Sequence, residues 1–220
     1  MTVARPAPLI PGAVGLLGGT FDPIHLGHLA VAEEAREALG LEKVVFVPAA
    51  APPHKPGLPI SPAGDRAAMV ELAIRGNPAF ELSRIELARA GPSYAVDTLA
   101  ELAGTRAADG RPIAWTFVLS VDALLGLPAW REPLRLLDLC RMAVAPREGW
   151  DRPEAAWLEE QFPGRSDRFT FLDGPRLAIS ASAVRERVAL GRSIRYLVPD
   201  DVRAYIADHS LYRTPARRNQ

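Results

Sequence analysis

"AVGLLGGTFDPIHLGHLAVAEEAREALG", residues 13–40, passes from an apolar run through a glycine pair into an amphipathic repeat. Residues 13–19 read as a buried strand. Over residues 25–40, Leu26, Leu29, Ala30 and Ala32 fall on one side and Glu33, Glu34, Arg36 and Glu37 face outward, the pattern of a helix. Gly40 stands where a helix C-cap is expected. Strand, glycine turn and helix thus follow one another without a linker.

The remaining chain repeats this alternation. Strands are expected over residues 43–48, 80–87, 113–120, 141–147 and 168–174. Helices are expected over 62–76, 93–105, 154–162, 180–191 and 199–211, with short helical pieces over 122–140. Ser61 before Pro62, and Ser93, read as N-caps. Residues 49–59 hold too many prolines for either element. Strands apolar throughout, alternating with helices, indicate an α/β fold: a doubly wound parallel sheet with helices on both faces, closed by a C-terminal helical segment. Such sheets bind ligands beyond the carboxyl ends of their strands. The turns near residues 19, 48, 87, 120, 147 and 174 are therefore the places to find a site.

Composition narrows the class. The 220 residues suit a single domain, here residues 1–220 with tails at 1–12 and 213–220, and 48% hydrophobic content is ample for a core. The net charge is zero, which argues against nucleic acid as a partner. No apolar run approaches the roughly 20 residues of a membrane span. The N-terminus, broken by prolines, does not read as a signal peptide. A cytoplasmic enzyme is the expectation. Cys140 is the only cysteine and reads as a buried thiol, so neither an internal disulfide nor a cysteine metal site is available. The oligomeric state stays open, a homo-oligomer included. Lys43 and Lys55 are the only lysines.

In the opening stretch, Gly18 and Gly19 allow backbone to approach a ligand closely. The helix beginning near His25 offers its N–H groups and dipole to an anion. His25 and His28, three residues apart, share one helical face and add donors, and Gly27 between them is expected to remove bulk on the side from which a ligand approaches. No third ligand for zinc lies nearby. Ser180 and Ser182 stand at another helix start, with Arg185 one turn in. His54 and Lys55 ride the proline loop. Trp130 is able to stack on a flat ring. Asp122 either accepts from a ribose hydroxyl or caps the helix that follows it.

The pattern G-G-T-F-D-P-I-H-L-G-H resembles the signature of the nucleotidylyltransferase superfamily. "FVPAAAPPHKP" (46–56), "GPSYAVDTL" (91–99), "LSVDALLGLPAW" (119–130) and "ISASAVRERVALGRSIRYLVPDDVRAYIADHSLYR" (179–213) resemble, in order, the further motifs of bacterial nicotinate-nucleotide adenylyltransferases. The likeness is colinear from about residue 13 to 213. It implies a Rossmann-like fold and adenylyl transfer from ATP to nicotinate mononucleotide, with pyrophosphate released and Mg²⁺ carried by the ATP phosphates rather than by protein ligands. By the same resemblance His25, His28, Lys55 and Arg185 are the catalytic candidates. Gly18, Gly19, Thr20, Phe21, Ser180, Ser182 and Arg185 are candidates for ATP. Tyr94, Ala95, Asp97, Thr98, Asp122, Trp130 and Arg131 are candidates for the acceptor nucleotide. Two positions depart from the family pattern: Ala95 replaces a usual threonine, and Ser120 the glycine of G-x-D. Both bear on which pyridine is accepted, so a nicotinamide mononucleotide or dual enzyme is the alternative. A nucleotide-sensing module without turnover is the alternative of a different class.

Overall fold

The computed structural model describes residues 12–52, 59–107 and 109–213. Six strands form one sheet: β1 (Ala13–Gly19), β2 (Lys43–Pro48), β3 (Phe80–Leu82), β4 (Ala114–Ser120), β5 (Arg141–Ala145) and β6 (Phe169–Phe171). Their order is β3-β2-β1-β4-β5-β6 and every pair is parallel. The order reverses direction between β1 and β4, where a doubly wound sheet opens its ligand crevice.

Successive strand residues point to opposite faces, and here both faces are buried. Leu17, Val44, Phe46, Val118 and Ala143 pack into one core, which also holds Ala32 and Ala35 of α1 (Leu26–Leu39) and Met69 and Val70 of α2 (Ala63–Ile74). Val184 of α7 (Ala181–Ala189) and Val202 and Ile206 of α8 (Asp200–Asp208) complete that layer. Leu16, Val45, Val47, Phe117, Leu119 and Val144 face the other way. They meet α3 (Ala95–Leu102), α4 (Val121–Gly126), α5 (Pro133–Leu139) and α6 (Ala155–Gln161). Each helix layer thus covers one face, and the C-terminal segment lies on the α1 side. No helix among the described residues is long and apolar enough to cross a membrane.

Several local expectations find their residues. Gly40 closes α1 with φ of 60° and ψ of 37°, the left-handed conformation that glycine adopts without cost. Cys140 is buried, and burial pushes its thiol up to about 12. Others differ. β3 ends at Leu82 rather than 87: the Ser83 N–H makes a last ladder bond, to Phe46 O of β2, and the chain then leaves the sheet. Ser61 and Ser93 are not caps: α2 and α3 start one residue later than expected, with Pro62 and Tyr94 at their N-caps. Ser93 Oγ instead accepts from the amides of Ala50 and Ala51 after β2.

Candidate active site

The six turns after the predicted strands converge on one cleft of about 520 Å³, to which they contribute Gly19, Ala49, Glu86, Ser120, Arg147 and Pro175. Its size is that of a pocket for a small molecule. The cleft straddles the β1–β4 boundary.

On the β1 side, Gly18, Gly19, Thr20, His25 and His28 line it. His25 is the extended N-cap of α1, at φ of −143° and ψ of 169°. Its ring stacks on that of His28, with centroids 3.7 Å apart. Gly27 lies under this arrangement: a Cβ there would stand 3.0 Å from the His25 ring, so the glycine makes room for an imidazole rather than for a ligand. The His25 N–H donates to His28 Nδ1 at 3.2 Å. An accepting Nδ1 puts the proton of the neutral His28 ring on Nε2. His25 is buried, and desolvation, helped by the nearby charge of Arg147, lowers its pKa to about 4. It is therefore a neutral ring near pH 7, and its Nδ1 has no hydrogen-bond partner among the described residues. The first amide of α1 is already engaged: Leu26 N–H donates to Leu197 O.

Phe21 lies outside the cleft lining. It is buried under the turn, its ring edge-on to that of His28 with centroids 5.1 Å apart, and it holds a left-handed φ of 50°. A Cβ at Gly19 would stand 3.1 Å from its ring.

On the β4 side the wall is aromatic. Tyr94, Ala95, Trp130 and Arg131 line the cleft. Trp130 sets its face at 83° to Phe117, and the Arg131 guanidinium lies 4.9 Å over the Tyr94 ring. Asp97 does not line the cleft; it pairs with Arg131 at 3.5 Å. Thr98 is buried behind the wall, donating to Glu86 at 2.6 Å and accepting from Arg89 at 2.9 Å. Asp122 sits in the first turn of α4, next to the lining residues Ser120 and Ala123, and its Oδ1 is buried without a partner among the described residues.

Ser180, Ser182 and Arg185 stand outside the lining. Ser180 Oγ accepts from Ala183 N–H as the N-cap of α7. Arg185 donates to Ser182 Oγ at 3.2 Å and to the backbone carbonyl of Asp22 at 2.7 Å, so its guanidinium is tied to the β1 turn. His54 and Lys55 lie outside the described residues.

Two charged cleft residues were not singled out from the sequence. Arg147 follows β5 and Glu86 follows β3, both at turns already marked for inspection, but neither belongs to a pattern that distinguishes it from surface charge.

Comparison with known proteins bears on the same residues. The profile of the cytidylyltransferase-like family matches residues 16–187. A Roseiflexus relative named nicotinate-nucleotide adenylyltransferase is 48% identical over 202 residues, covering 91% of this chain and 98% of its own. One from Dehalococcoides mccartyi with the same name is 41% identical over 198 residues, covering 90% and 96%. The chain belongs to the nicotinate-nucleotide adenylyltransferase family. Its members are nucleotidyltransferases. The fold agrees: a Plasmodium falciparum nicotinic acid mononucleotide adenylyltransferase solved with APC superposes with a TM-score of 0.71 at 17% identity, covering 91% of this chain and 97% of that one. The same enzyme complexed with NaAD superposes with a TM-score of 0.68.

Proposed function

We propose that this cleft joins ATP to nicotinate mononucleotide, giving nicotinate adenine dinucleotide and pyrophosphate as a step of NAD biosynthesis. The observation that carries the reading is the meeting, in one cleft, of a stacked histidine pair at a helix start and an aromatic wall across the β1–β4 boundary. One half suits phosphates and the other a pyridine ring.

In this reading a phosphate oxygen of the mononucleotide attacks the α-phosphorus of ATP, and the bond to the β-phosphate oxygen breaks. The attacking phosphate is already an anion, so no side chain has to remove a proton. Alignment supplies much of the acceleration, up to about 7–11 kcal/mol for well-oriented reactants. His28 donates from Nε2 to the polyphosphate, with Thr20 beside it and Arg147 adding charge. His25, neutral, holds His28 by stacking and through its N–H. Arg185, tied to the β1 turn through the Asp22 carbonyl, adds positive charge from α7, where Ser180 and Ser182 stand at the helix start; the family resemblance gives Lys55 a phosphate role as well. Trp130 stacks on the pyridine, flanked by Tyr94 and Arg131. The amides at the start of α3, at Ala95, read the carboxylate, while Asp97 and Thr98 brace Arg131 and Glu86. A ribose hydroxyl would satisfy the orphaned Asp122 Oδ1.

A divalent cation fits this site only through its substrates. No group of three His, Cys, Asp or Glu side chains capable of holding a metal exists among the described residues, and Glu86 already accepts from Thr98. Mg²⁺ brought in by the ATP phosphates would supply charge neutralisation at the leaving pyrophosphate.

The test is pyrophosphate release from ATP and Mg²⁺ with nicotinate mononucleotide, nicotinamide mononucleotide or phosphopantetheine as acceptor. A strong preference for the nicotinate compound is expected. Equal use of both pyridines would make the enzyme dual and implicate Ala95 and Ser120. No release with any of the three would overturn the assignment.

A further inference from the structure

Behind the β1 turn, outside the cleft, lies a buried polar cluster that no step above uses. Its centre is Arg66 of α2, a guanidinium in a residue only 1% exposed. It donates to three backbone carbonyls: Thr20 at 2.7 Å, Ser61 at 2.9 Å and Ala50 at 3.3 Å. Thr20 belongs to the turn after β1. Ala50 follows β2 and Ser61 precedes α2, so these two flank the proline loop. Asp22, 3% exposed, completes the cluster. Its carboxylate accepts from the Tyr212 hydroxyl at 2.7 Å and from the Ser61 N–H at 3.3 Å, and its own carbonyl accepts from Arg185.

A buried guanidinium is costly unless its donors are used, and these are spent on main chain rather than on a carboxylate partner. Carbonyls of three separate segments can be held in one plane by the rigid fork of an arginine but not by the single point of an ammonium. Between Thr20 and Asp22 stands Phe21 with its left-handed φ of 50°, a conformation disfavoured for a bulky side chain. Arg66 from below, with Arg185 and Tyr212 bound to Asp22, fixes both neighbours of that residue.

We propose that Arg66 and Tyr212 are positioning residues for the reaction, acting through Thr20 and Asp22 to hold the phosphate-facing turn and the two ends of the proline loop in one register. The proposal rests on the reading of the β1 side as the phosphate side. Arg66 and Tyr212 line no part of the cleft; they act on where Thr20, His28, Ala50 and Ser61 stand. A displacement of about 1 Å at reacting groups is worth on the order of a hundredfold in rate.

The experiment compares wild type, Arg66→Lys and Tyr212→Phe in the full chain. It measures kcat, KM for each substrate, and thermal midpoint. Arg66→Lys is expected to lower kcat about 100-fold. Tyr212→Phe, which removes one oxygen and no packing, is expected to lower it about tenfold, by the loss of one hydrogen bond to a charged group. In both, KM for nicotinate mononucleotide stays within about twofold, because neither residue lines the cleft, and the loss in kcat persists well below the melting transition. A general structural defect would instead lower the midpoint and raise both KM values together. Should Arg66→Lys fail to fold, Tyr212→Phe decides. A Tyr212→Phe enzyme with wild-type kcat, or losses that follow only the melting temperature, would overturn the proposal. Absence of turnover in wild type would overturn the phosphate-side reading along with it. Wild-type turnover with unaltered variants would overturn the positioning role alone.

Discussion

The turns after β1 and β4 leave paired neighbouring strands, yet they are held in opposite ways. The β1 turn is held by polar groups from distant parts of the chain: Arg66, Arg185, Ser61 and Tyr212 all bond to Thr20 or Asp22. The β4 turn is held by packing. Val121, Leu124 and Leu127 are buried, Trp130 meets Phe117 edge-on, and α4 has no side-chain cap. Directional bonds fix atoms to tenths of an ångström, as stabilising charge on a transferring phosphoryl group requires. On the proposed function, the apolar wall only has to present a face to a flat ring. Precision and tolerance thus sit on either side of the sheet's switch point.

This contrast is breakable by mutation. The largest effect is expected from His28→Ala, which removes a donor from the precise side. Its kcat should fall about 10²–10³-fold, roughly 3–4 kcal/mol, the loss typical of one preorganised donor. Nucleotide affinity, read by calorimetry, should change far less. A comparable loss of affinity would mean that His28 binds the ground state as tightly as the transition state.

The second effect concerns acid. His25 has a folded pKa of about 4 against an ordinary 6.5. The unfolded chain therefore binds a proton that the native chain refuses, so stability falls as pH drops through this window and is unaffected above it. The full decrement is about 3 kcal/mol at the lower end. Urea unfolding at pH 7, 5.5 and 4.5 should show the slope, and His25→Gln should flatten it. An unchanged slope in that variant would place the acid sensitivity elsewhere.

The smallest effect belongs to the tolerant side. Trp130→Ala should raise KM for nicotinate mononucleotide about tenfold, near 1.4 kcal/mol, with kcat nearly retained. A drop in kcat with KM unchanged would show that the wall also orients the attacking phosphate, and the two sides would no longer differ in kind.

The sheet was legible because its strands are buried on both faces. Val44-Val45-Phe46-Val47 feeds alternate cores, so a continuous apolar run was the correct signature. Residues 80–87 misled for a related reason. Ile85 still packs against the α3 core after β3 has ended, and the alternation outlasts the strand. Ser61 and Ser93 have the chemistry of caps, but neither caps its helix. The Ser61 amide and carbonyl are engaged by Asp22 and Arg66, and the Ser93 hydroxyl by the amides after β2. The histidine pair was readable because its spacing and the glycine turn are local. Arg66 was not. On a helix it reads as one more outward charge, and only folding shows that its side of α2 faces three carbonyls rather than water.

The bond between Asp22 and Tyr212 spans 190 positions of sequence. A ribosome adding about 5–20 residues per second makes these partners roughly 10–40 s apart. During that interval β1, its glycines, His25 and His28 are already synthesised, but the far anchor of their turn does not yet exist. The β1 turn is among the first parts of the molecule to be synthesised and among the last to be fixed.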